Sequence, residues 1–95
     1  MRFAFADTFQ SSLDRMDRPD QSLIKIAMFD LQQNPITPGF NLEKLRGTSR
    51  WSGRVNHDLR LIMHRDGDLL IVLHVGHHDA AYAWSDKHVF NFNQE

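Results

Sequence analysis

The stretch "HVGHHDAAYAW", residues 74 to 84, gathers the groups best suited to chemistry: His74, His77, His78, Asp79, Tyr82 and Trp84. Histidine changes charge near neutral pH, so His78, and then His77, are the candidates for a general base or acid. Tyr82 lies one helical turn beyond His78 and can stack on a base or donate a hydrogen bond. Each has a plainer reading. His77 and His78 can be a helix cap and a surface residue, and Tyr82 and Trp84 core or interface aromatics.

Other chemistries fit less well. His74, His77, His78 and Asp79 are zinc-ligand types, but strand alternation aims His74 and His77 at opposite faces. The chain has no cysteine, hence no thiolate nucleophile and no disulfide framework. No serine sits in the strained turn that a Ser-His-Asp site needs, and Ser49, Ser52 and Ser85 read as structural. The expectation is a site without metal or other cofactor.

A cleaved or bound phosphate also needs cations, and these are concentrated in the middle. Lys44, Arg46, Arg50, Arg54, Arg60 and Arg65 stand against Glu43 and Asp58, a local charge of +4 in a chain of net charge −1. That segment can meet a nucleic-acid backbone, or it can be the solvated face of a sheet. A fixed guanidinium at Arg60 suits two phosphate oxygens, with Arg54 beside it. The plain alternative pairs Arg60 with Asp58 or Asp79. His64 shares the strand face of Arg60, where a lone histidine is more often structural.

The elements that position these residues follow from periodicity. Phe3 and Phe5 alternate as a short strand, with Asp7 or Thr8 to cap the helix after it. Phe9, Leu13 and Met16 form one helical stripe. Pro19-Asp20 starts a second helix, with Leu23, Ile26, Ala27 and Leu31 as its stripe, and Asn34-Pro35 stops it. Residues 34 to 41 read as a loop that Leu42 and Leu45 tuck onto the core. In 50 to 55, Trp51 and Val55 oppose Arg50, Ser52 and Arg54, a half-exposed strand with a basic face. Leu59, Leu61 and Met63 alternate with Arg60, Ile62 and His64, and an aliphatic run covers 69 to 75.

Asp66-Gly67 between those runs predicts a hairpin in which Arg65 faces Asp68 and Arg60 faces Leu73. Leu59, Leu61, Met63, Leu70 and Val72 should then carry the helical hairpin. Helix formers from Asp79 to Trp84 predict a third helix capped by His78 or Asp79, and residues 88 to 95 read as a tail or an edge strand. The order β-α-α-β-β-β-α is an α+β domain with a helical hairpin on a small antiparallel sheet.

At 95 residues the chain is read as one domain spanning 1 to 95, able to bury about 60 to 65% of its unfolded surface. Hydrophobic residues make up 41% and charged residues 24%, the balance of a folded soluble protein without a membrane span. The N-terminus has too short an apolar run for a signal peptide, so the cytoplasm is the expected compartment.

The helical hairpin, "LEKLRG" at 42 to 47 and "DLRLIMHRDGDLLIVLHVGHHDAAY" at 58 to 82 resemble the RelE/ParE superfamily of bacterial toxins. The chain is most similar to one variant, the RelE-like domain at the N-terminus of some bacterial UvrD/Rep-type helicases. There "VNRDLR", "HRDGD" and "HHDDAYRWA" recur, read here at 55 to 60, 64 to 68 and 77 to 84. The resemblance runs from Phe3 to Lys87. It implies the RelE/ParE-like fold, a toxin of a type II toxin-antitoxin system, and either mRNA cleavage in the ribosomal A site or inhibition of gyrase.

In the ribonuclease branch an arginine of the "RL" strand and a basic residue after the last strand's glycine handle the phosphate, with a tyrosine on the last helix. Arg60, then His77 or His78, and Tyr82 stand at those positions. Arg50, Arg54, Lys44, Arg46 and His64 would guide RNA, and an antitoxin peptide would hold the toxin silent. Two departures stand out: a sequence pI near 6.6, where ribosome-dependent members are strongly basic, and histidine where arginine or lysine is commoner. They keep open a module that binds nucleic acid, or a DNA-associated protein complex, without cleaving.

Overall fold

The computed structural model describes residues 2–33, 41–45 and 50–88. The elements are β1 (Arg2–Phe5), α1 (Asp7–Asp14), α2 (Arg18–Gln33), β2 (Glu43–Lys44), β3 (Arg50–Arg54), β4 (Leu59–Asp66), β5 (Leu69–His77) and α3 (His78–Lys87). The sheet order is β1-β5-β4-β3-β2. All neighbours are antiparallel except β1 and β5, which run parallel: from β1 the chain crosses through both helices to the far edge at β2 and returns strand by strand to β5. The expected α+β order holds, with the addition of β2, an edge strand of two residues too short to leave an alternation.

One face of the sheet carries Leu59, Leu61, Met63, Leu70, Val72 and Val75 against Phe9 and Leu13 of α1 and Ile24, Ala27, Met28 and Leu31 of α2. The strand side of this core matches the alternation. The α2 side is rotated from the expected stripe: Ile24 and Met28 are buried, while Leu23 and Ile26 are exposed. Apolar residues fill so much of α2 that two helical stripes are open to it. Its start is fixed by Asp17, whose Oδ1 accepts the Asp20 N–H at 3.0 Å. The backbone cap of α1 is Ala6 rather than Asp7 or Thr8, and no side chain caps it.

The hydroxyls of α1 go to the sheet instead. Past the end of β1, the Thr8 hydroxyl donates to the Leu73 carbonyl at 2.5 Å and the Ser12 hydroxyl accepts the Val75 N–H at 3.1 Å. Helix α1 thus satisfies a strand edge that would otherwise lie open. The same stretch holds a bulge, since Met63 pairs with Val72 while Ile62 pairs with His74.

The β4–β5 turn corrects the expected register. Asp66 pairs with Leu69, so Gly67 and Asp68 are the central residues, and Gly67 takes φ +59° at the first of them. That is the position where a II′ turn needs glycine. Arg65 therefore faces Leu70, and Arg60 faces Gly76.

The second face is covered by α3. Ile62, Leu73 and Ala81 are buried there, and with them Arg50, Ser52 and His64. Residues 34 to 40, 46 to 49 and 89 to 95 lie outside the described residues, and with them most of the expected loop, Arg46 and most of the expected tail. Among the described residues no helix is long and apolar enough to cross a membrane.

Candidate functional site

Helix α3 begins where β5 stops, beside the start of β4, and runs back over the sheet face to Arg50. The connection from β3 to β4 is held by Asn56, whose Oδ1 accepts the N–H groups of Asp58 at 2.9 Å and Leu59 at 2.7 Å. This turn sets His57 and Asp58 beside the start of α3. Asp58 Oδ2 accepts from His77 Nδ1 at 2.5 Å, and its Oδ1 meets the His78 N–H at 3.4 Å. The N-cap of α3 is thus His77, not the expected His78 or Asp79, and the carboxylate that reaches the first free N–H is Asp58 of the neighbouring turn, twenty residues away in sequence.

The hydrogen bond from His77 is the largest of the effects that hold the Asp58 carboxyl below its ordinary range. The other ring nitrogen of His77 is 3.8 Å from the Asp20 carboxylate at the start of α2. His78 Nδ1 lies 2.9 Å from Asp79 Oδ1. A carboxylate only accepts, so Nδ1 is the donor in this contact, and in the neutral ring Nε2 then has the lone pair that a general base requires. The His78 ring meets Tyr82 edge-on, with centroids 4.7 Å apart, and the Tyr82 hydroxyl points to Ser52 Oγ at 3.4 Å.

Arg60 pairs across the sheet with Arg54 on one side and Gly76 on the other. Its guanidinium bonds neither Asp58 nor Asp79. It donates to the carbonyls of Asn56 at 2.7 Å, Leu59 at 3.1 Å and His57 at 3.4 Å. Among the described residues three of its five N–H donors are used, which leaves two for another group. Arg54 is exposed beside it. Two guanidiniums opposite each other repel, a cost that an anion between them relieves.

Arg60 and Arg54 are paired at this end of the sheet, where α3 begins with His78, one turn before Tyr82, and where His77, opposite Leu59, is held between Asp58 and Asp20; Asp58 was not placed there from the sequence. The signal for Asp58 was a turn-forming Asn two residues before it at the mouth of a strand, but its partners are distant in sequence.

The other basic residues are placed differently. Arg50 is only 6% exposed and His64 3%. Arg50 lies under α3, donating to the Ser85 hydroxyl at 3.2 Å and to the carbonyls of Ser85 and His88. Burial, and then the Arg50 charge, lowers the His64 pKa. The expected basic face of β3 is therefore reduced at the surface to Arg54. Lys44 is exposed on edge strand β2. Among the described residues no three of His, Asp and Glu converge as a metal site.

No family model matches the chain, and no curated protein does. Solved structures do. A YafQ from E. coli is 19% identical with a TM-score of 0.70, over 86% of this chain and 99% of that one. The fold is that of the RelE/YafQ-like toxins. A RelB-RelE antitoxin-toxin complex from Methanococcus jannaschii shows it at 23% identity and a TM-score of 0.64, over 85% and 96% of the two chains. A YoeB/ParE toxin from Agrobacterium tumefaciens shows it at 19% identity and 0.63, over 82% and 99%. These three structures are of toxins, one of them with its antitoxin, and none is of a helicase-associated domain.

Proposed function

We propose that this chain is a toxin of the mRNA-cleaving type, an endoribonuclease acting on mRNA at the ribosome and restrained by an antitoxin. What supports this reading is the Arg54–Arg60 pair at the end of the sheet where α3 begins with His78, next to the Asp58–His77 pair. Cleavage by the RNA's own 2′-hydroxyl requires a base near that hydroxyl, cations at the phosphate and an acid at the leaving 5′-oxygen. His78 Nε2 takes the 2′-hydroxyl proton. The 2′-oxygen attacks phosphorus, and the bond to the 5′-oxygen breaks to leave a 2′,3′-cyclic phosphate. Arg60, with Arg54, balances the charge gathering on the phosphate oxygens. His77, held by Asp58, returns a proton to the leaving oxygen, and Tyr82 stacks or donates beside it. No metal enters.

The antitoxin partner is supported by the neighbours solved as complexes: YafQ with DinJ, and RelE with RelB. Ribosomes programmed with a defined mRNA test the activity. Cuts at A-site codons that Arg60→Ala and His78→Ala both abolish are expected, and absence of cutting at high protein concentration rejects it. A second reading, a binding module that does not cleave, is favoured by the net charge of −1 and by histidine in place of arginine at positions 77 and 78. That reading expects binding to single-stranded RNA or to DNA with no cut ends.

A further inference from the structure

A second site lies toward the other end of α3. A cavity of about 310 Å³ opens between α1 and α3 over β5, lined by Asp7, Ser11 and Arg15 on one side and His74, Trp84 and His88 on the other. Its aromatic wall is a column. His74 stacks on Trp84 at 4.3 Å with 9° between planes, and Trp84 on His88 at 4.4 Å with 12°. We propose that this cavity binds a guanine-type nucleobase, its ring against the His74–Trp84–His88 column, its donor edge on Asp7 and its phosphate on Arg15. The proposal stands independently of RNA cleavage at the start of α3.

The volume falls at the small end of ligand pockets, enough for a base but not for a large ligand. Flat heteroaromatic rings gain by stacking on such side chains. Burial pushes His74 down to about 4, so that at neutral pH it offers an uncharged ring that stacks without an ion to desolvate. The Arg50 guanidinium, 5.9 Å from the Trp84 ring centroid, braces the column from the sheet side.

Of the hydroxyls and charges at the wall, Thr8 and Ser12 are committed to β5. No side-chain hydrogen bond or ion pair among the described residues involves Asp7, Ser11 or Arg15. An ionised carboxylate only accepts, so it selects an edge with two adjacent donors. Guanine presents N1–H beside its 2-amino group. Adenine and cytosine set an acceptor beside their amino group, and uracil flanks its N–H with two carbonyls. A guanidinium at the mouth suits the phosphate attached to that base.

Two sources carry this chemistry, a free guanine mononucleotide and a guanine in single-stranded RNA. Titration calorimetry of the intact chain with guanosine 5′-monophosphate, uridine 5′-monophosphate, inorganic phosphate and the trinucleotides UGU and UUU separates them. The guanine probes should bind about tenfold more tightly than their uracil counterparts, the discrimination of one good bidentate contact. UGU binding about tenfold more tightly than the mononucleotide identifies RNA as the source, and equal binding identifies the free nucleotide.

Asp7→Asn should bring guanine and uracil probes to within about threefold, and Arg15→Ala should weaken every phosphate-bearing probe. Both positions are exposed, and an unchanged melting temperature shows that each variant folds. His88→Ala should weaken guanine binding through the column alone. Inorganic phosphate binding as well as the nucleotide overturns the proposal, as does guanine preference surviving in Asp7→Asn, or no binding of any guanine probe at millimolar concentration.

Discussion

His77 Nδ1 and Asp58 Oδ2 lie 2.5 Å apart, tying the last residue of β5 to the turn that begins β4. The same carboxylate reaches the His78 N–H, so a single side chain both orients an imidazole and caps the helix that starts beside it. The setting of His77 and of the first turn of α3 therefore depends on Asp58. Removing the carboxylate would loosen His77, the first turn of α3 and the setting of His78 together.

Asp58→Asn tests this link through pH. The native Asp58 carboxyl is lowered from its ordinary 3.8, chiefly by His77. A carboxyl depressed in the folded state stabilises fully above its unfolded value and loses that contribution as pH falls through the native value. The variant should melt below the parent at neutral pH, and the gap should narrow as pH drops below 3.8. A gap of constant size down to full acid denaturation would show that the carboxylate's charge contributes nothing.

The rotation of α2 predicts a contrast between neighbours on the helix. Ile24 is fully buried and Ile26 is 61% exposed. Ile24→Ala removes core contacts and leaves a cavity, a loss of about 2 to 5 kcal/mol, whereas Ile26→Ala should change stability by less than about 0.5 kcal/mol. Urea denaturation of both variants decides the helix orientation. Equal losses would mean that the stripe containing Ile26 packs on the sheet.

These placements show where sequence reading stops. Alternation at Leu59, Leu61 and Met63 identified the core face because a strand has only two faces. Helix α2 could not be oriented the same way, with apolar residues at 23, 24, 26, 27, 28, 29 and 31. Asp-Gly located the hairpin, but the turn centres on Gly67-Asp68, one residue later, and every pairing moves with it. Arg50 and His64 read as a surface because polar residues on alternate positions usually are. Helix α3 buries them, and nothing in β3 or β4 announces it. Asp58 was legible only as a charge near Arg60, since its partners come from β5 and α3.

His74 predicts a second pH effect, in a different window. Its pKa falls from 6.5 to about 4, mainly through burial. A histidine lowered in the folded state stabilises fully above its unfolded value, and the contribution is lost as pH falls from 6.5 toward 4. Discounted for partial exposure, the loss is about 2 kcal/mol. His74→Phe should keep the stack on Trp84 and flatten the stability profile across this window. Proton NMR titration of His74 in the parent should give a midpoint well below that of a free histidine, and an ordinary midpoint would refute its burial.

Arg60 offers the sharpest separation between a phosphate clamp and a structural brace. Three of its N–H groups hold the carbonyls of Asn56, Leu59 and His57, so Arg60→Ala removes both roles and cannot distinguish them. Arg60→Lys keeps the charge but loses the planar fork that can grip turn and phosphate at once. If Arg60 stabilises a cleaving transition state, Arg60→Lys should lower the cleavage rate by about 10²-fold or more with less than about 1 kcal/mol lost in stability. Rates from single-turnover cleavage of ribosome-bound mRNA, set beside urea denaturation of the same preparations, measure both. A stability loss of several kcal/mol with the cleavage rate of the folded fraction unchanged would make Arg60 a brace for the turn that presents Asp58, and the phosphate would then belong to Arg54 and His78.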